Sequence, residues 1–552
     1  MKKSSIVVIG LFLLLYVLPL GVRPIVIPDE SRYAETPREM ICSGDWMVPH
    51  INGLRYFEKP VLGYWLNEAS MMLFGENAFA VRLPSAMAAG ISALMLFFMV
   101  RRFTIRYSLG IFAATVFLTC LEIYGIGTFS VLDNAFAMFV TAAMVLFFFA
   151  YVEDTPGKKT GLLILAGASC GLAFLTKGFV GFAIPVMTIL PFMLWEQRWK
   201  DLFRVSWIPI LAALLVSLPW AVMVYFREPD FWHYFFWNEH IRRFMAGNAQ
   251  HSEPLWFFIP VIIGGALPWT VLFPAVISGL KATHFKTPFL RFAACWFLFP
   301  FLFFSFSHGK LETYILPCFP PLAIFVALGL SDYHRKGKGR SFNIGVSLLT
   351  LLIGAMAFAL VESQVTDFPG FRAYGLSEYW KWIFGLIGLL TWIIGLILAL
   401  RTPDFRKKVA LFCAAPLLFM FSVHFIMPDQ FIERKAPGKF LLSQADRIQP
   451  ETILVSGRRL IRAVCWFYKR NNVFLLNSGG ELTYGLGYDD SKNRLLDLDQ
   501  LKKLLTKLHG KHTVVLVTEA KRYAKYRSLL PQPAFEQIGT RFVFAQFQAV
   551  PI

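Results

Sequence analysis

Long apolar segments alternate with short polar segments over the first 426 residues of the chain. Thirteen apolar runs are long enough, or nearly so, to cross a hydrocarbon core, which takes about 20 helical residues. They lie near 6–23, 80–100, 108–127, 131–151, 161–176, 179–195, 206–226, 256–278, 289–307, 313–331, 342–361, 381–401 and 408–426. The pattern predicts a polytopic α-helical membrane protein with about 13 transmembrane helices.

Three of these runs allow a second interpretation. The fifth and sixth runs are short and are separated only around Lys177, so they fit either two full spans or a re-entrant pair. The first run follows Lys2 and Lys3 and resembles a signal peptide, but Gly21-Val22-Arg23 is not a small-x-small cleavage site. We therefore expect a retained first helix.

Basic residues are concentrated in every second loop, which is typical of the cytoplasmic side of a membrane protein. The alternation favours two full spans around Lys177, and it predicts a cytoplasmic N-terminus and an outer location for residues 427–552. The basic groups are Lys2 and Lys3; Arg101, Arg102 and Arg106; Lys158 and Lys159; Arg198, Lys200 and Arg204; Lys281 and Lys286; Arg335, Lys336, Lys338 and Arg340; and Arg401, Arg406, Lys407 and Lys408.

The C-terminal segment, 427–552, has the pattern of a small α/β domain. We therefore divide the chain into a transmembrane domain, 1–426, with outer loops 24–79 and 227–255, and a C-terminal α/β domain, 427–552. The domain has 20 Lys and Arg against 11 Asp and Glu, which fits either a solvated surface or contact with anionic glycolipids. Its predicted strands are 452–455, 473–476, 513–517 and 542–547, and its predicted helices are 459–470, 499–509 and 520–530.

Composition supports the membrane prediction and excludes several other classes. Hydrophobic residues make up 56% and charged residues 16% of the chain, whereas soluble domains have about 25% charged residues. The net charge of +19 is spread over short segments without a binding motif, so we predict no nucleic-acid partner. The seven cysteines are scattered and form no CxxC pair, which argues against a disulfide framework or a zinc ribbon.

Candidate chemistry is concentrated on the predicted outer face. The first loop interleaves acidic residues with Arg32 and Lys59, which an interfacial anchor alone explains poorly. Asp133, Lys177 and Lys310 stand at span boundaries, where a snorkelling role is the alternative. Cations in such places are suited to holding a lipid phosphate.

These loops resemble those of the bacterial aminoarabinose transferases of lipid A, which have the C-type membrane glycosyltransferase fold. The resemblance runs over nearly the whole chain. It is carried by Pro-Asp-Glu-x-Arg-Tyr-Ala-Glu at 28–35, Ser-Gly-Asp-Trp at 43–46, Leu-Arg-Tyr-Phe-Glu-Lys-Pro at 54–60, Val-Leu-Asp at 131–133, Thr-Lys-Gly at 176–178, Phe-Trp-His-Tyr-Phe-Phe-Trp at 231–237, Glu-His-Ile-x-Arg-Phe at 239–244 and Gly-Glu-Leu-x-Tyr-Gly-Leu at 480–486.

The resemblance implies a reaction and its partners. The enzyme would transfer 4-amino-4-deoxy-L-arabinose from undecaprenyl phosphate to a phosphate group of lipid A. The transfer would take place at the periplasmic face of the inner membrane of a Gram-negative bacterium, among membrane lipids. It would lower the negative surface charge and thereby the binding of cationic peptides such as polymyxin.

The resemblance also implies roles for particular residues. Asp29, Asp133, Arg32 and Lys177 would be catalytic, and Lys59, Arg243, Tyr314 and Tyr56 would bind the phosphate of the donor lipid. Glu58 and His240 match positions that hold a zinc ion of structural use, and the chemistry requires no cofactor. We interpret Glu30, Glu35 and Glu68 as a solvated rim. Glu312 departs from the family, which has proline there, and this could shift the acceptor preference.

Three other functions remain open at this point. A transferase of the same fold could use another sugar or acceptor, as a protein O-mannosyltransferase does. A transporter or lipid flippase would also carry charged outer loops. A non-catalytic scaffold is the third alternative, but it leaves the crowding of ionisable groups unexplained.

Overall fold

The computed structural model describes residues 3–242, 252–337, 339–365, 373–507 and 512–547. The chain forms two compact units. The first unit contains Met1–Leu20 and Arg82–Ile426, and the second contains Gly21–Val81 and Met427–Ile552. Each unit is discontinuous in sequence.

The first unit is helical and has the composition of a polytopic membrane protein. Eight described helices are long and apolar enough to span a membrane: Ala78–Thr104, Asp133–Tyr151, Pro156–Lys177, Trp207–Arg227, Pro288–Phe306, Glu312–Arg335, Arg340–Val365 and Leu376–Arg401. Two bent pairs, Tyr107–Thr119 with Leu121–Gly127 and Phe258–Gly265 with Trp269–Gly279, raise the number to ten if each pair is one span. Other described helices of the unit are Lys3–Phe12, Leu13–Val17, Val180–Trp195, Trp199–Val205, Ala282–Lys286, Phe405–Ala414 and Leu417–Ser422, with a short helical stretch from Phe231 to Arg242.

Two bent helix pairs and the helices around Lys177 bear on the predicted number of spans. The bent pairs turn by 66° and 94°, and Pro268, which has no backbone N–H to continue a helix, lies at the second bend. Around Lys177 the structure has two separate helices, Pro156–Lys177 and Val180–Trp195, rather than one run. The count of about 13 transmembrane helices stays a prediction.

Small residues allow close helix packing in the first unit. A Cβ on Gly279 would lie 1.8 Å from the backbone oxygen of Gly329, so the two helices approach through their backbones. Aromatic side chains fill the space elsewhere: the rings of Phe148 and Phe292 are 4.8 Å apart. Such packing through small residues is typical of helices in membranes.

The N-terminal part of the second unit consists of two helices and a hairpin. The helices are Asp29–Ser43, called the first loop helix below, and Leu62–Phe74, called the second loop helix. The strands β1 (His50–Ile51) and β2 (Leu54–Arg55) pair around Asn52 and Gly53, whose φ angles of 59° and 66° suit an Asn-Gly turn. The carboxylate of Glu39 accepts the backbone N–H groups of both turn residues.

The C-terminal part of the second unit is a six-stranded sheet with helices. The strands are β3 (Ile453–Gly457), β4 (Phe474–Leu476), β5 (Leu495–Leu496), β6 (Val514–Glu519), β7 (Phe535–Ile538) and β8 (Phe542–Phe547), in the order β5-β4-β3-β6-β8-β7. The first four strands of this order are parallel, and β8 and β7 are antiparallel to their neighbours. The helices are Asp429–Lys435, Gly438–Leu442, Ile461–Tyr468, Leu498–Lys507 and Ala520–Tyr526.

The loop 24–79 packs within the second unit, and the division into domains 1–426 and 427–552 stays a prediction. The side chain of Asn52 explains part of this packing. Its Nδ2 donates to the carbonyl of Val473 at 2.8 Å, and its Oδ1 accepts the N–H of Val473 at 2.9 Å. These bonds fix the hairpin to the start of β4.

Candidate active site

The predicted site residues fall in both units, and each group is described within its own unit. In the first unit, Asp133 begins the helix Asp133–Tyr151 and Lys177 ends the helix Pro156–Lys177. A carboxylate at a helix N-terminus and an ammonium at a C-terminus both complement the helix dipole. Local structure therefore favours charge at both positions.

Asp133 and Lys177 form an ion pair that Thr313 and Tyr314 also contact. Lys177 Nζ donates to Asp133 Oδ1, and the side chains are only 14% and 15% exposed. Thr313 Oγ1 donates to the same carboxylate oxygen at 2.8 Å. Lys177 Nζ also lies 4.4 Å from the centre of the Tyr314 ring. The structure thus brings three of the predicted residues together, with Thr313 as an addition.

Lys310 is a buried charged residue of the first unit, and Glu122 is a half-buried one. Lys310 is 3% exposed, and its Nζ donates to the carbonyl of Glu253 at 2.7 Å. One carboxylate oxygen of Glu122 is buried and has no hydrogen-bond partner among the described residues. Sequence patterns gave no signal for Glu122 because it lies inside an apolar run.

In the second unit, the predicted residues surround a carboxylate that the sequence did not single out. Arg32 Nη2 lies 3.0 Å from Glu481 Oε1, and Arg462 makes a second ion pair with Glu481. The hydroxyl of Tyr56 lies 2.9 Å from Glu58 Oε2 and 3.2 Å from Glu481 Oε2. Glu481 therefore connects the N-terminal loop to the C-terminal sheet within this unit.

Charge and burial set the protonation states of this cluster. Burial by itself would raise the pKa of Glu481, but the guanidinium groups of Arg32 and Arg462 hold that pKa below its ordinary value. Burial raises the pKa of Tyr56 well above its ordinary value. The cluster therefore contains an ionised carboxylate and a neutral hydroxyl donor.

Asp29 and Lys59 lie at the side of this cluster. Asp29 is 46% exposed and its Oδ1 is 3.6 Å from Arg32 Nη2, one turn along the first loop helix. Lys59 is half-buried, and its Nζ donates to the backbone carbonyl of Glu58 at 2.8 Å. An accessible carboxylate and a half-buried ammonium are the groups that bind a substrate carrying both charges.

The interpretation of Glu30, Glu35 and Glu68 as a solvated rim is wrong, because all three are fully buried. Glu30 accepts the N–H of Val26 at 3.1 Å. Glu35 binds Arg38 through both oxygens, at 2.6 and 2.7 Å, while burial raises its pKa well above the ordinary value. The carboxylates that stabilise the first loop helix and its surroundings are therefore structural rather than exposed.

Of the two predicted zinc ligands, only Glu58 has a side chain among the described residues. Glu58 is buried and accepts the Tyr56 hydroxyl, while the side chain of His240 and the whole of Arg243 lie outside the described residues. Among the described residues, Glu35, Glu39 and Cys465 bring ligand atoms within 4.8 Å of one another. Arg38 and backbone N–H groups already bind those two carboxylates, so this cluster does not suit an added cation.

Thr313, Arg462 and Glu481 were missed as site residues. The motif Gly480-Glu481-Leu482 was visible in the sequence as part of the family resemblance, but its partner is 449 residues away from it in the chain. Thr313 was visible beside Tyr314. No spacing rule pairs residues so far apart in the chain, so all three could be identified only from the fold.

Two family models match this chain. One is described as dolichyl-phosphate-mannose-protein mannosyltransferase and matches residues 4–235. The other is described as Arabinosyl transferase ArnT, C-terminal domain, and matches residues 432–546. The first match includes residues of both units, and the second lies in the C-terminal part of the second unit.

Curated relatives match over nearly the full length. The undecaprenyl phosphate-alpha-4-amino-4-deoxy-L-arabinose arabinosyl transferase of Shewanella sediminis (strain HAW-EB3) is 39% identical over 514 residues, which is 92% of this chain and 93% of that protein. The protein of the same name from Yersinia pseudotuberculosis serotype O:3 (strain YPIII) is 36% identical over 555 residues, covering 100% of both. The crystal structure of ArnT from Cupriavidus metallidurans bound to undecaprenyl phosphate has the same fold, with a TM-score of 0.84 at 24% identity over 99% of this chain and 98% of that one. The chain therefore belongs to the undecaprenyl phosphate-α-4-amino-4-deoxy-L-arabinose arabinosyl transferase family and is a membrane glycosyltransferase.

Proposed function

We propose that this protein transfers 4-amino-4-deoxy-L-arabinose from undecaprenyl phosphate to a phosphate group of lipid A at the periplasmic face of the inner membrane. The modification lowers the negative surface charge and so the binding of cationic peptides such as polymyxin. The full-length likeness to relatives whose name states this sugar and carrier supports the proposal most. The lipid A acceptor follows from the family resemblance of the outer loops.

The reaction needs cations more than it needs a base. The bond between the anomeric carbon and the donor phosphate oxygen breaks, a bond from that carbon to an acceptor phosphate oxygen forms, and undecaprenyl phosphate leaves with the electron pair. Because the acceptor is already an anion, the demand is to bring two anions together and to stabilise the leaving phosphate. Arginine and lysine side chains meet that demand.

In the first unit we assign Asp133 and Lys177 to the chemistry. The Asp133 carboxylate would neutralise the amino group of the sugar or the positive charge that develops at its anomeric carbon. Lys177 would position a phosphate, and Tyr314, beside the Lys177 ammonium, would bind the donor phosphate through its hydroxyl. The ion pair of Asp133 and Lys177 holds both groups ready in the same place.

In the second unit we assign Asp29 and Arg32 to the chemistry, and Lys59 and Tyr56 to the donor phosphate. Arg243 is the remaining proposed donor-phosphate ligand. The Tyr56 hydroxyl contacts Glu58, so a phosphate oxygen would take the place of that carboxylate as its acceptor. Glu58 and His240 are proposed to hold a structural zinc ion, and no chemical step depends on that ion.

The charge pattern of the loops supports an inner-membrane topology with a cytoplasmic N-terminus and a periplasmic C-terminal domain. The C-terminal domain would then share a compartment with the acceptor head group. Long domains are translocated regardless of their charge, so the basic character of the domain does not oppose this assignment.

A transfer assay with purified protein, the aminoarabinose donor lipid and a lipid A precursor tests the proposal. We expect wild-type protein to form modified lipid A, and Asp133→Asn to lower kcat by about 100-fold, as removal of a transition-state electrostatic partner does. Asp499→Asn, at an exposed side chain of the C-terminal domain, is the matched control. Unmodified lipid A with active donor would contradict the proposal.

Two further arms separate the rival functions. A polyprenyl-phosphate mannose donor with a peptide acceptor tests protein mannosylation, which the family model over residues 4–235 makes the nearest alternative. A flippase predicts that Asp29→Asn stops lipid transport but leaves sugar transfer in detergent intact. Our proposal predicts that the same substitution lowers transfer in detergent.

A further inference from the structure

The C-terminal sheet has a feature that the proposed reaction does not use. Along the chain, β3 is followed by β4 and β5 on one side of it, and then by β6 on its other side. The strand order therefore reverses between β3 and β6. In α/β proteins, ligands bind outside the carboxyl ends of the strands at such a switch point.

Three arginines converge at this place in the sheet. The strand β6 ends at Glu519, whose carboxylate lies 3.0 Å from Arg522 Nε, 3.3 Å from Arg459 Nη1 and 3.8 Å from Arg541 Nη2. Arg459 follows the end of β3, and Arg522 lies on the helix Ala520–Tyr526 that follows β6. We call Arg459, Arg522, Arg541 and Glu519 the switch-point cluster.

The switch-point cluster has an excess of positive charge that is open to solvent. One carboxylate compensates one of three guanidinium groups, which leaves two positive charges. The Arg459 side chain is 54% exposed, and Arg522 and Arg541 are each 35% exposed. The adjacent Arg458 is also exposed and adds a further positive charge beside the cluster. Guanidinium groups repel one another, so their concentration at one point favours an anionic ligand.

Two other arginines of the second unit each pair with a carboxylate of their own. Arg527 binds both oxygens of Glu536, at 2.8 and 2.6 Å, and Arg55 binds Asp490 at 2.9 Å. The backbone at the switch point is also tightly packed: a Cβ on Gly457, the last residue of β3, would lie 3.0 Å from Thr518 Oγ1. The excess charge therefore stands at a well-defined corner of the sheet.

We propose that the switch-point cluster binds a phosphate monoester on the head group of an anionic glycolipid. Arginine presents paired N–H donors that match phosphate oxygens, and a phosphate monoester carries about −1.5 to −2 charges near neutral pH, which the two uncompensated charges can balance. The identification of the glycolipid as the acceptor rests on the proposed function. An acceptor with more than one phosphate would be held here by a phosphate that does not react.

A binding experiment with the full-length protein in detergent tests the cluster. The probes are a water-soluble diphosphorylated glucosamine disaccharide, the same disaccharide without phosphate, and inorganic phosphate. We expect the phosphorylated disaccharide to bind, and the double variant Arg459→Gln/Arg522→Gln to bind it about tenfold more weakly. Arg527→Gln, an arginine paired with its own carboxylate, should bind as wild type does. Glu519→Gln should bind more tightly, because it removes the competing anion.

The outcomes show whether the cluster binds a phosphate and whether that phosphate belongs to a glycolipid head group. Equal affinity in wild type and the double variant, or equal losses in the double variant and Arg527→Gln, would overturn the proposal. Inorganic phosphate that binds as tightly as the disaccharide, and is lost in the double variant, would assign the cluster to free phosphate and overturn the head-group assignment.

The transfer assay gives an independent reading. The double variant should raise the KM for the acceptor about tenfold and leave kcat and the donor KM unchanged, because the cluster holds a phosphate that does not react. Wild-type protein that binds the disaccharide through the cluster but transfers no sugar would contradict the proposed function and leave the cluster intact. If the double variant transfers sugar normally with an unchanged acceptor KM, the switch-point cluster does not bind the acceptor.

Discussion

Glu68 is the most unusual single residue of the second unit. It is fully buried in the second loop helix, and neither carboxylate oxygen has a hydrogen-bond partner among the described residues. Burial raises the pKa of Glu68 to about 8. An acid with a higher pKa in the folded state holds its proton more tightly when folded, so stability falls as the pH rises from about 4.5 to about 8.

We therefore expect Glu68→Gln to stabilise the protein in a pH-dependent way. The substitution should raise the melting temperature by several degrees at about pH 9, where the wild-type carboxylate is ionised, and by much less at about pH 5. Thermal unfolding of the purified protein across this range is the measurement. Asp499→Asn, at an exposed carboxylate, should show no such trend. A shift of equal size at every pH would show that ionisation of Glu68 is not the cause.

Thr313 is expected to act through Asp133. Its hydroxyl donates to Asp133 Oδ1 at 2.8 Å and so fixes the carboxylate that also binds Lys177. Thr313→Val keeps the shape and removes the donor, so kcat should fall about tenfold while the donor KM stays unchanged. Thr313→Ser should restore most of kcat in the same transfer assay. A serine variant as slow as the valine variant would mean that packing, and not the hydrogen bond, is responsible.

Charged site residues could be predicted from the sequence, whereas most of their partners could not. Asp133 and Lys177 could be selected because charge is costly at span boundaries, and Tyr314 because of the motif around it. Their mutual contact depends on how three helices pack, which no local pattern encodes. For the same reason Glu30, Glu35 and Glu68 looked like solvated charges, since burial is a property of the fold.

At the scale of elements, the loop after β4 has the clearest consequence. It carries Glu481, which binds Arg32 from the first loop helix and Arg462 from the helix Ile461–Tyr468. The two cations lower the pKa of Glu481 against the effect of burial, so the stability that the carboxylate contributes is present above its unfolded pKa and is lost as the pH falls through its folded pKa.

Glu481→Gln should therefore destabilise the second unit and slow transfer. Removing the carboxylate of this partly buried ion pair costs about 2 kcal/mol, because the arginines keep their charge without compensation. Chemical denaturation should show this loss at neutral pH and a smaller one under acidic conditions. The double variant Glu481→Gln/Arg462→Gln should regain part of the stability, since it removes one of the two uncompensated cations. Additive losses in the double variant would argue against a direct interaction.

Elements with a strong local pattern were predictable, and those defined by tertiary contacts were not. The structure has β3, β4, β6 and β8 where the sequence predicts strands, whereas the two-residue β5 and the edge strand β7 had no clear alternation. The Asn52-Gly53 pair was an available hairpin signal that the sequence interpretation did not use. Bends inside apolar runs were missed because hydropathy measures length and not direction.

At the scale of the whole molecule, the division into units differs from the linear division of the sequence. Residues 21–81 interrupt the first unit in sequence and belong to the second unit, which also contains residues 427–552. A domain boundary placed from sequence patterns divides the chain into consecutive segments. It cannot describe a unit that consists of two separate segments. The membrane class of the protein was nevertheless evident, because 56% hydrophobic residues in long runs exclude an ordinary soluble fold.

The predicted topology can be tested with a cysteine that the chain already has. Cys42 is an exposed free thiol at the end of the first loop helix, whereas the other six cysteines are buried or half-buried. A membrane-impermeant maleimide should label Cys42 in cells whose outer membrane alone has been opened, and Cys42→Ser should abolish the signal. In the Cys42→Ser background, Asp499→Cys should restore labelling from outside. Lys286→Cys should react only after the inner membrane is opened, because its loop is one of the basic loops predicted to be cytoplasmic. Labelling of Lys286→Cys from outside would mean that the true orientation is opposite to the predicted one. The loop 24–79 and the C-terminal sheet would then lie in the cytoplasm, away from a periplasmic acceptor.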